Sequence, residues 1–275
     1  MDAAPRLLER RERALYWLVD AAYALPLEAL GWPAEGAVDC ALGVAASDGR
    51  AATAILALPD RPERIHLRPV RHGGLFGPLW RDTIWGFERP AAELRTTARL
   101  LAAGAPVPRP VLVAARRRRG LLWTAVVGTL HVEDARDGLA WLALRPEPAA
   151  LLRGARAAGA AIRRFHDAGG SHADLHLKNL LFRDRDGETD VRVIDLDRAR
   201  AGAPPAPKRR MRELMRLVRA LHKRGLIQQV GPRGFATALA AYCAGDRELR
   251  RALLSHLPRE RRRIGRHAWG YRWAV

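Results

Sequence analysis

The sequence has few cysteines and no long apolar run. Its 275 residues contain two cysteines, Cys40 and Cys243, which are far apart and form no CxxC pair. This excludes a disulfide framework and a zinc ribbon, and it favours a reducing compartment. No run of about 18 apolar residues occurs, which excludes a membrane-spanning helix. Charges between Arg6 and Asp20 interrupt the apolar core that a signal peptide needs, so we expect none.

Acidic residues are also scarce relative to basic ones. The chain has 48 Lys and Arg against 29 Asp and Glu, a formal net charge of +19. Such an excess predicts an anionic partner, but it specifies neither a fold nor a reaction. Because the chain lacks a basic motif interleaved with aromatic residues, we expect no nucleic-acid partner. The basic cluster at Arg259–Arg266 is typical of a solvated helix face.

The first half of the chain contains short strand-like segments separated by turns. Four such segments are residues 51–58, 64–70, 110–115 and 121–127. This pattern predicts consecutive antiparallel strands. Between the last two lies the run Arg116–Arg119, which is either a solvated hairpin tip or a site for lipid phosphate. A helix is expected from Pro90 to Leu101, since proline suits a first helical turn.

Apolar residues recur at helical spacing in three other segments. Leu7–Val19 is predicted to be an amphipathic helix whose basic face is either solvated or in contact with a membrane. Residues 151–165 and 211–221 carry two further helical patterns. We therefore divide the chain into a helical extension (1–35), a strand-rich part (36–127) and a mainly helical part (128–275).

Polar residues crowd the stretch GSHADLHLKNLLF, which begins at Gly170. It leads into a predicted hairpin around Gly187, and Asn179 and Asp195 lie eight positions to either side of that glycine. Both side chains are therefore expected at the open end of the hairpin. Their oxygens are hard ligands suited to Mg²⁺.

Asp174 is expected on the loop that leads into the same end of the hairpin. A carboxylate there can accept the proton of an attacking hydroxyl while a metal holds a nucleotide triphosphate, and these are the parts of phosphoryl transfer. Alternatively His172, Asp174 and His176 share one face of an extended segment and bind a transition metal in a hydrolase. That alternative leaves Asn179 and Asp195 without a role.

The pattern H-x-D-x-x-x-x-N, followed by a hairpin and a second aspartate, resembles the catalytic and metal-binding segments of protein-kinase-like enzymes. DLD at Asp195–Asp197 replaces the DFG of protein kinases and points to small-molecule or lipid-sugar kinases. The chain is most similar to the lipopolysaccharide core kinases, and among them to the 3-deoxy-D-manno-octulosonic acid (Kdo) kinases. Three further stretches carry this resemblance over roughly residues 40–225: LRPVRHGGLFGPL, AAELRTTARLLAAGAPVPRP and MRELMRLVRALHKRG.

The resemblance implies a two-lobed, protein-kinase-like α+β fold, with a small antiparallel sheet and one helix facing a mainly helical lobe across an active-site cleft. It makes Asp174 the catalytic base and His172 a residue that braces the loop. Asn179 and Asp195 become the metal ligands. Lys178 either stabilises charge on the phosphoryl group or is simply solvated.

In the first lobe the resemblance implies a nucleotide site. Arg68 stands where protein kinases have the strand lysine that holds the phosphates, and Glu93 is its helix partner. Gly49, in SDGRAAT, would belong to the loop that covers the nucleotide, although this stretch alone is typical of an ordinary hairpin turn. Val127 lies in the segment expected to meet the adenine through its backbone.

The implied function is ATP-dependent, Mg²⁺-requiring phosphorylation of a Kdo hydroxyl on lipid A. The implied partners are this lipid-linked anionic sugar substrate (Kdo-lipid A) and the anionic membrane surface. The implied location is peripheral, on the cytoplasmic side of the bacterial inner membrane. Two alternatives stay open: a kinase that acts on heptose, another small molecule or a protein, and a non-catalytic nucleotide- or nucleic-acid-binding protein.

Overall fold

The computed structural model describes residues 4–34, 37, 53–70 and 83–271, with side chains described as far as residue 262. The chain divides into two compact units. The first is Met1–Ala102 with Pro108–Val132, and the second is Ala103–Val107 with Glu133–Val275. The boundary predicted near Gly128 is therefore found just after Val132. Residues assigned to a separate N-terminal extension belong to the first unit.

An antiparallel sheet of seven described strands forms the first unit. In the sheet the strands follow the order β1, β2, β6, β7, β4, β3, and β5 also pairs with β7. Two helices, α1 (Ala21–Ala29) and α2 (Glu88–Ala102), accompany it. The strands are β1 (Leu7–Arg11), β2 (Leu15–Asp20), β3 (Ala54–Ala57), β4 (Arg64–Pro69), β5 (Ile84–Trp85), β6 (Pro110–Arg119) and β7 (Leu122–Leu130).

Both faces of this sheet are buried. Trp17 and Val19 of β2 pack into a cluster on one face with Tyr23 and Leu27 of α1. Tyr16 and Leu18, which alternate with them, pack on the other face with residues of α2. Consequently β2 is apolar at nearly every position rather than at every second one.

The predicted helix over Leu7–Val19 is wrong. These residues form the hairpin β1–β2, and β2 pairs with β6 from Leu15↔Arg116 to Val19↔Leu112. A strand buried on both faces lacks the alternation of polar and apolar residues that identifies a strand in a sequence. Its continuous apolar run therefore gave the helical spacing by coincidence.

The other elements predicted in this unit are confirmed. The four strand-like segments are β3, β4, β6 and β7, and the helix expected from Pro90 is α2. The arginine run lies at the end of β6, and the chain turns at Gly120. Arg117 is not merely solvated, because its guanidinium lies 5.2 Å from the ring centre of Trp123.

Asp20 fixes the start of α1 and ties it to the sheet. Its carboxylate is 1% exposed and accepts hydrogen bonds from the backbone N–H groups of Arg6 and Ala22. The guanidinium of Arg109 lies 2.7 Å from the same carboxylate. A buried carboxylate needs such partners, because burial without them costs several kcal/mol.

The second unit is mainly helical, as predicted. Its core packs α4 against α6 and against the short sheet, and packs α5 against α7. The helices are α3 (Gly138–Ala143), α4 (Pro148–Asp167), α5 (Pro207–Lys223), α6 (Ile227–Cys243) and α7 (Arg247–Tyr271). The strands are β8 (Arg136–Asp137), β9 (Gly170–Ser171), β10 (Leu180–Arg185), β11 (Glu188–Val193) and β12 (Arg200–Ala201).

Apolar side chains of these helices line a cavity of about 750 Å³. It is formed by residues such as Leu151 and Ile162 of α4 and Met215 of α5. Among the described residues, no helix is both long and apolar enough to cross a membrane.

Replacing Asp20 with alanine is expected to destabilise the protein by about 3 kcal/mol, because it leaves the largely buried Arg109 guanidinium without its partner. Urea denaturation followed by circular dichroism measures this loss. Glu28→Ala, which removes an exposed carboxylate from α1, is the matched control and should change stability by less than about 0.5 kcal/mol. Equal stability of the two variants would contradict the assigned role of Asp20.

Candidate active site

The hairpin β10–β11 positions the predicted metal ligands. Its turn consists of Asp186 and Gly187, which have φ values of 52° and 77°. Two consecutive left-handed residues are typical of a type I′ turn, which needs glycine or a residue such as aspartate. The turn closes with Arg185 opposite Glu188, so the register of the whole hairpin is set at this end.

At the open end of the hairpin the register differs by one residue from the symmetrical pairing predicted from the sequence. The backbone N–H of Ile194 donates to the carbonyl of Asn179 at 2.9 Å. Asn179 therefore lies opposite Ile194, and Asp195 follows directly. The two-residue turn explains this offset, because it is centred between Asp186 and Gly187 rather than on Gly187. The predicted proximity of Asn179 and Asp195 along the hairpin is retained.

The loop before the hairpin presents Asp174 to solvent. Its side chain is 76% exposed, while the backbone around it is held on both sides. The N–H of Asp174 donates to Nδ1 of His172 at 3.1 Å, and the side-chain amide of Asn179 donates to the Asp174 carbonyl at 2.9 Å. The loop is therefore fixed by hydrogen bonds that leave the carboxylate accessible.

The nitrogen and the oxygen of the Asn179 side-chain amide have different roles. Its side chain is buried, and its amide nitrogen is committed to the carbonyl of Asp174. The amide oxygen is consequently the atom that can bind a cation. Asp195 is exposed and left-handed at φ 59°. An amide oxygen and a carboxylate form a donor set that suits Mg²⁺, which binds one or two carboxylates and completes its shell with phosphate oxygens and water.

His172 braces the loop from inside. The ring is buried, its Nδ1 accepts from the N–H of Asp174, and its Nε2 lies 3.1 Å from the carbonyl of Ile194. Burial lowers the pKa of His172, so the ring is neutral and carries its proton on Nε2. This ring joins the loop to the residue before Asp195.

The alternative metal site at His172, Asp174 and His176 is not supported. Both ring nitrogens of His172 are already engaged, so neither is available as a ligand. Within the described ranges no group of three or more His, Cys, Asp or Glu residues could hold a metal ion. Instead, the Nε2 atom of His176 lies at a distance of 3.4 Å from the carboxylate of Asp174.

Helix α5 also holds the loop around Asp174 through hydrogen bonds. The sequence did not predict this contact. The carboxylate of Glu213 is 1% exposed and accepts from the backbone N–H of His172 at 2.9 Å. One helical turn later, Arg216 donates to the carbonyls of His172 and Ala173. One helix therefore holds both the N–H and the C=O groups of the peptides that precede Asp174.

Glu213 is itself embedded in a network of donors. His166 lies 3.2 Å from its carboxylate and Arg209 lies 3.1 Å from it, while Tyr242 lies 2.7 Å from the other ring nitrogen of His166. Burial raises the pKa of Glu213, but the hydrogen bonds from His166, the His172 backbone and Arg209 outweigh it, so the net shift is downward. The carboxylate is therefore ionised. Burial lowers the pKa of His166 and raises the pKa of Tyr242 to about 12, so both rings are neutral.

A sequence signal for Glu213 did exist. It lies between the apolar residues Met211, Leu214 and Met215 on the buried side of an amphipathic helix. An acidic residue on that face is rarely buried without partners. Two of its partners, however, are 41 and 47 residues away, and no local pattern identifies them.

In the first unit the structure pairs Arg68, which was predicted to hold nucleotide phosphates, with Glu93, its predicted helix partner. Arg68 of β4 donates to Glu93 of α2 at 2.6 Å, and Glu93 is 7% exposed. The pair joins the sheet to its helix. Gly49 and the segment HGGLFG, residues 72–77, lie outside the described residues.

The predicted backbone contact with adenine at Val127 needs correction. Val127 is in the middle of β7, opposite Arg68 of β4 and opposite Val113 of β6. Its side chain is buried, and both edges of the strand are paired. A backbone that is already paired on both sides has no group to offer a ligand, so a contact of this kind must lie outside the central part of β7.

Comparisons with known proteins agree with this geometry. Residues 44–242 match the sequence model of the lipopolysaccharide kinase (Kdo/WaaP) family. A 3-deoxy-D-manno-octulosonic acid kinase of Vibrio parahaemolyticus is 33% identical over 168 residues, which cover 60% of this chain and 67% of the relative. The kinase of the same name from Vibrio cholerae is 38% identical over 137 residues, which cover 48% of this chain and 55% of the relative.

A solved structure described as WaaP in complex with acyl carrier protein supports the fold. It has a TM-score of 0.57 and 18% identity, and the match covers 88% of this chain and 96% of that chain. The predicted α+β fold of the kinase-like class is thereby confirmed. Because the match to the family model extends over more than half of the sequence, the chain belongs to the lipopolysaccharide kinase (Kdo/WaaP) family.

Proposed function

We propose that the protein transfers the γ-phosphate of ATP to a hydroxyl of the Kdo residue on Kdo-lipid A, in the biosynthesis of the lipopolysaccharide core. The observation that carries the proposal is the loop in which an exposed Asp174 carboxylate is held beside Asn179 and the start of the Asp195 segment. The family membership and the names of the relatives supply the acceptor. The relatives are longer than the matched stretch, so the acceptor is part of the proposal.

Asp174 acts as the general base in this reaction. Its carboxylate accepts the proton of the acceptor hydroxyl as the oxygen bonds to the γ-phosphorus and the bond to the β-phosphate oxygen breaks. The chain's contribution is mainly positional, since hydrogen bonds with the side chains of His172, Asn179, Glu213 and Arg216 fix the backbone around Asp174. A rigid backbone keeps the base at a constant place relative to the bound hydroxyl.

Asn179 and Asp195 would hold Mg²⁺, which when bound neutralises negative charge on the nucleotide phosphates. In the first unit, Arg68, oriented by Glu93, would bind nucleotide phosphate. Lys178 is exposed next to Asn179 and would stabilise charge on the phosphoryl group during transfer. Positive charge from Mg²⁺ and Lys178 would then lie next to the negative charge of the phosphates.

An acceptor linked to lipid A implies work at a membrane surface. We infer a peripheral location on the cytoplasmic side of the inner membrane, which agrees with the net charge of +19. Heptose, another soluble sugar or a protein remain as competing acceptors, since the loop around Asp174 does not select among them.

The proposed function is tested by offering ATP and Mg²⁺ together with Kdo-lipid A, a heptose-terminated acceptor or a protein mixture. Phosphate transfer should be strongest to Kdo-lipid A and should stop when Mg²⁺ is chelated. Preferential phosphorylation of another acceptor by the folded protein would refute the Kdo assignment while leaving the kinase assignment intact. No transfer to any acceptor would refute both.

Asp174→Asn should lower kcat by about 10²-fold or more, because an amide cannot accept the proton. Asp186→Asn is a matched control: it makes the same chemical change at an exposed turn of the following hairpin, where asparagine tolerates the left-handed backbone. Its kcat should stay within about twofold of the original. Full activity of Asp174→Asn would exclude this residue as the base.

Arg216→Gln should lower kcat by roughly tenfold through loss of its hold on the loop, while KM for ATP changes little. Arg216→Lys should recover part of kcat, since an ammonium can still reach a carbonyl. Arg219→Gln, an exposed change on the same helix, is the control. If KM rises and kcat is unaffected, Arg216 binds substrate instead of positioning the loop.

A further inference from the structure

A cationic groove lies between α5 and α7 and shares Arg209 with the network around Glu213. Its volume is about 980 Å³. Three cationic side chains come from the first half of α5 and two from α7. The residues that define this groove are Lys208, Arg209, Arg212, Arg259, Glu260 and Arg262.

Among the described residues, the cationic side chains of this groove outnumber the carboxylates that face them. Five cationic residues face one acid, Glu260, which is itself buried. Arg209 is paired with Glu213 at 3.1 Å. Within the described part of the chain, no carboxylate forms an ion pair with Lys208, Arg212, Arg259 or Arg262. Repulsion between the like charges of the two helices raises the free energy of the folded protein. A bound anion lowers it again.

The side chains of the groove favour phosphate as the anionic group. Four of the five cations are arginines, whose planar guanidinium groups donate two parallel hydrogen bonds to phosphate oxygens. Aromatic residues are absent from the described lining, so the groove offers no surface on which a nucleobase could stack. This makes a nucleotide or a single-stranded nucleic acid a poor occupant.

We propose that this groove binds the phosphate groups of an anionic membrane lipid. A single inorganic phosphate is small relative to a groove of about 980 Å³, whereas a lipid headgroup with its neighbours can contact both helices. Lys208, Arg212, Arg259 and Arg262 are exposed, as side chains that meet a membrane surface must be. Clusters of four to eight Lys and Arg on helices are typical of anionic-lipid recognition.

This binding site goes beyond the proposed function, because it needs neither ATP nor Kdo and shares only Arg209 with the network that holds the Asp174 loop. It also gives the basic cluster at the C-terminal end a role other than a solvated face, through Arg259 and Arg262. The two helices that form the groove, α5 and α7, also belong to the mainly helical unit that contains Asp174. A protein held at this groove would therefore have its helical unit anchored directly to the lipid surface.

Cosedimentation of the full chain with vesicles tests the proposal in the absence of ATP. Vesicles of phosphatidylcholine with about 30% phosphatidic acid, at roughly 0.15 M salt, are compared with pure phosphatidylcholine vesicles. The test variant Arg212→Gln/Arg259→Gln removes one groove arginine from each helix. The control Arg219→Gln/Arg251→Gln removes one exposed arginine from each of the same helices outside the groove, so the net charge of both variants is equal.

The wild-type protein should bind only the anionic vesicles. The groove variant should lose about tenfold or more in affinity, and the control should stay within about threefold. Equal losses in the two variants would show that binding follows net charge alone and would overturn the proposal. Thermal melting confirms that both variants are folded, and Arg212→Lys/Arg259→Lys should retain part of the binding, because lysine keeps the charge but not the paired hydrogen bonds.

Two competition arms distinguish the source of the phosphate and the class of partner. Excess inorganic phosphate or pyrophosphate should displace little protein from the vesicles; full displacement would assign the groove to a small soluble anion instead. Binding of duplex DNA or single-stranded RNA that is tighter than vesicle binding, and is lost in the groove variant, would assign it to nucleic acid. Kinase activity on a delipidated acceptor is measured separately, so a failure here is distinct from a failure of the proposed function.

Discussion

The geometry of the helical unit depends on the buried carboxylate of Glu213. It lies on α5 and accepts hydrogen bonds from a ring on α4, from the backbone of the Asp174 loop and from a guanidinium on its own helix. A carboxylate with so little solvent exposure is stable only when its charge is met by several donors at once. Because those donors come from separate parts of the chain, the requirement forces the two helices and the loop into one arrangement. The position of Asp174 follows from this arrangement.

Local chemistry was enough to predict the hairpin and the loop before it. Asp186 and Gly187 identify a tight turn, the flanking segments alternate, and the polar residues from His172 to Asn179 have a recognisable spacing. Glu213 and Arg216 could not be assigned in the same way, because the loop residues that they hold are more than 40 residues away in the sequence. Their roles arise from helix packing, and a single sequence carries no record of which surfaces meet.

The two errors in the first unit have a common cause. The continuous apolar run of β2 and the central place of Val127 in β7 both arise because these inner strands are covered on two faces and paired on both edges. A strand is recognised in a sequence by the alternation of exposed and buried side chains, and a fully buried strand has no such alternation. The pairing of Arg68 with Glu93 was expected from the resemblance to protein-kinase-like enzymes, and the hydrogen bond between them agrees with that expectation.

The place of β2 inside the sheet has a practical consequence. The stretch that matches the family begins at residue 44, after the first hairpin and α1. A chain trimmed to the matching stretch would lose β1 and β2, and β6 would become an outer strand with a row of unpaired amide and carbonyl groups. Outer strands of that length, apolar on both sides, recruit strands from other molecules. The segment that precedes the family match is thus the one that keeps the sheet of the first unit from self-association.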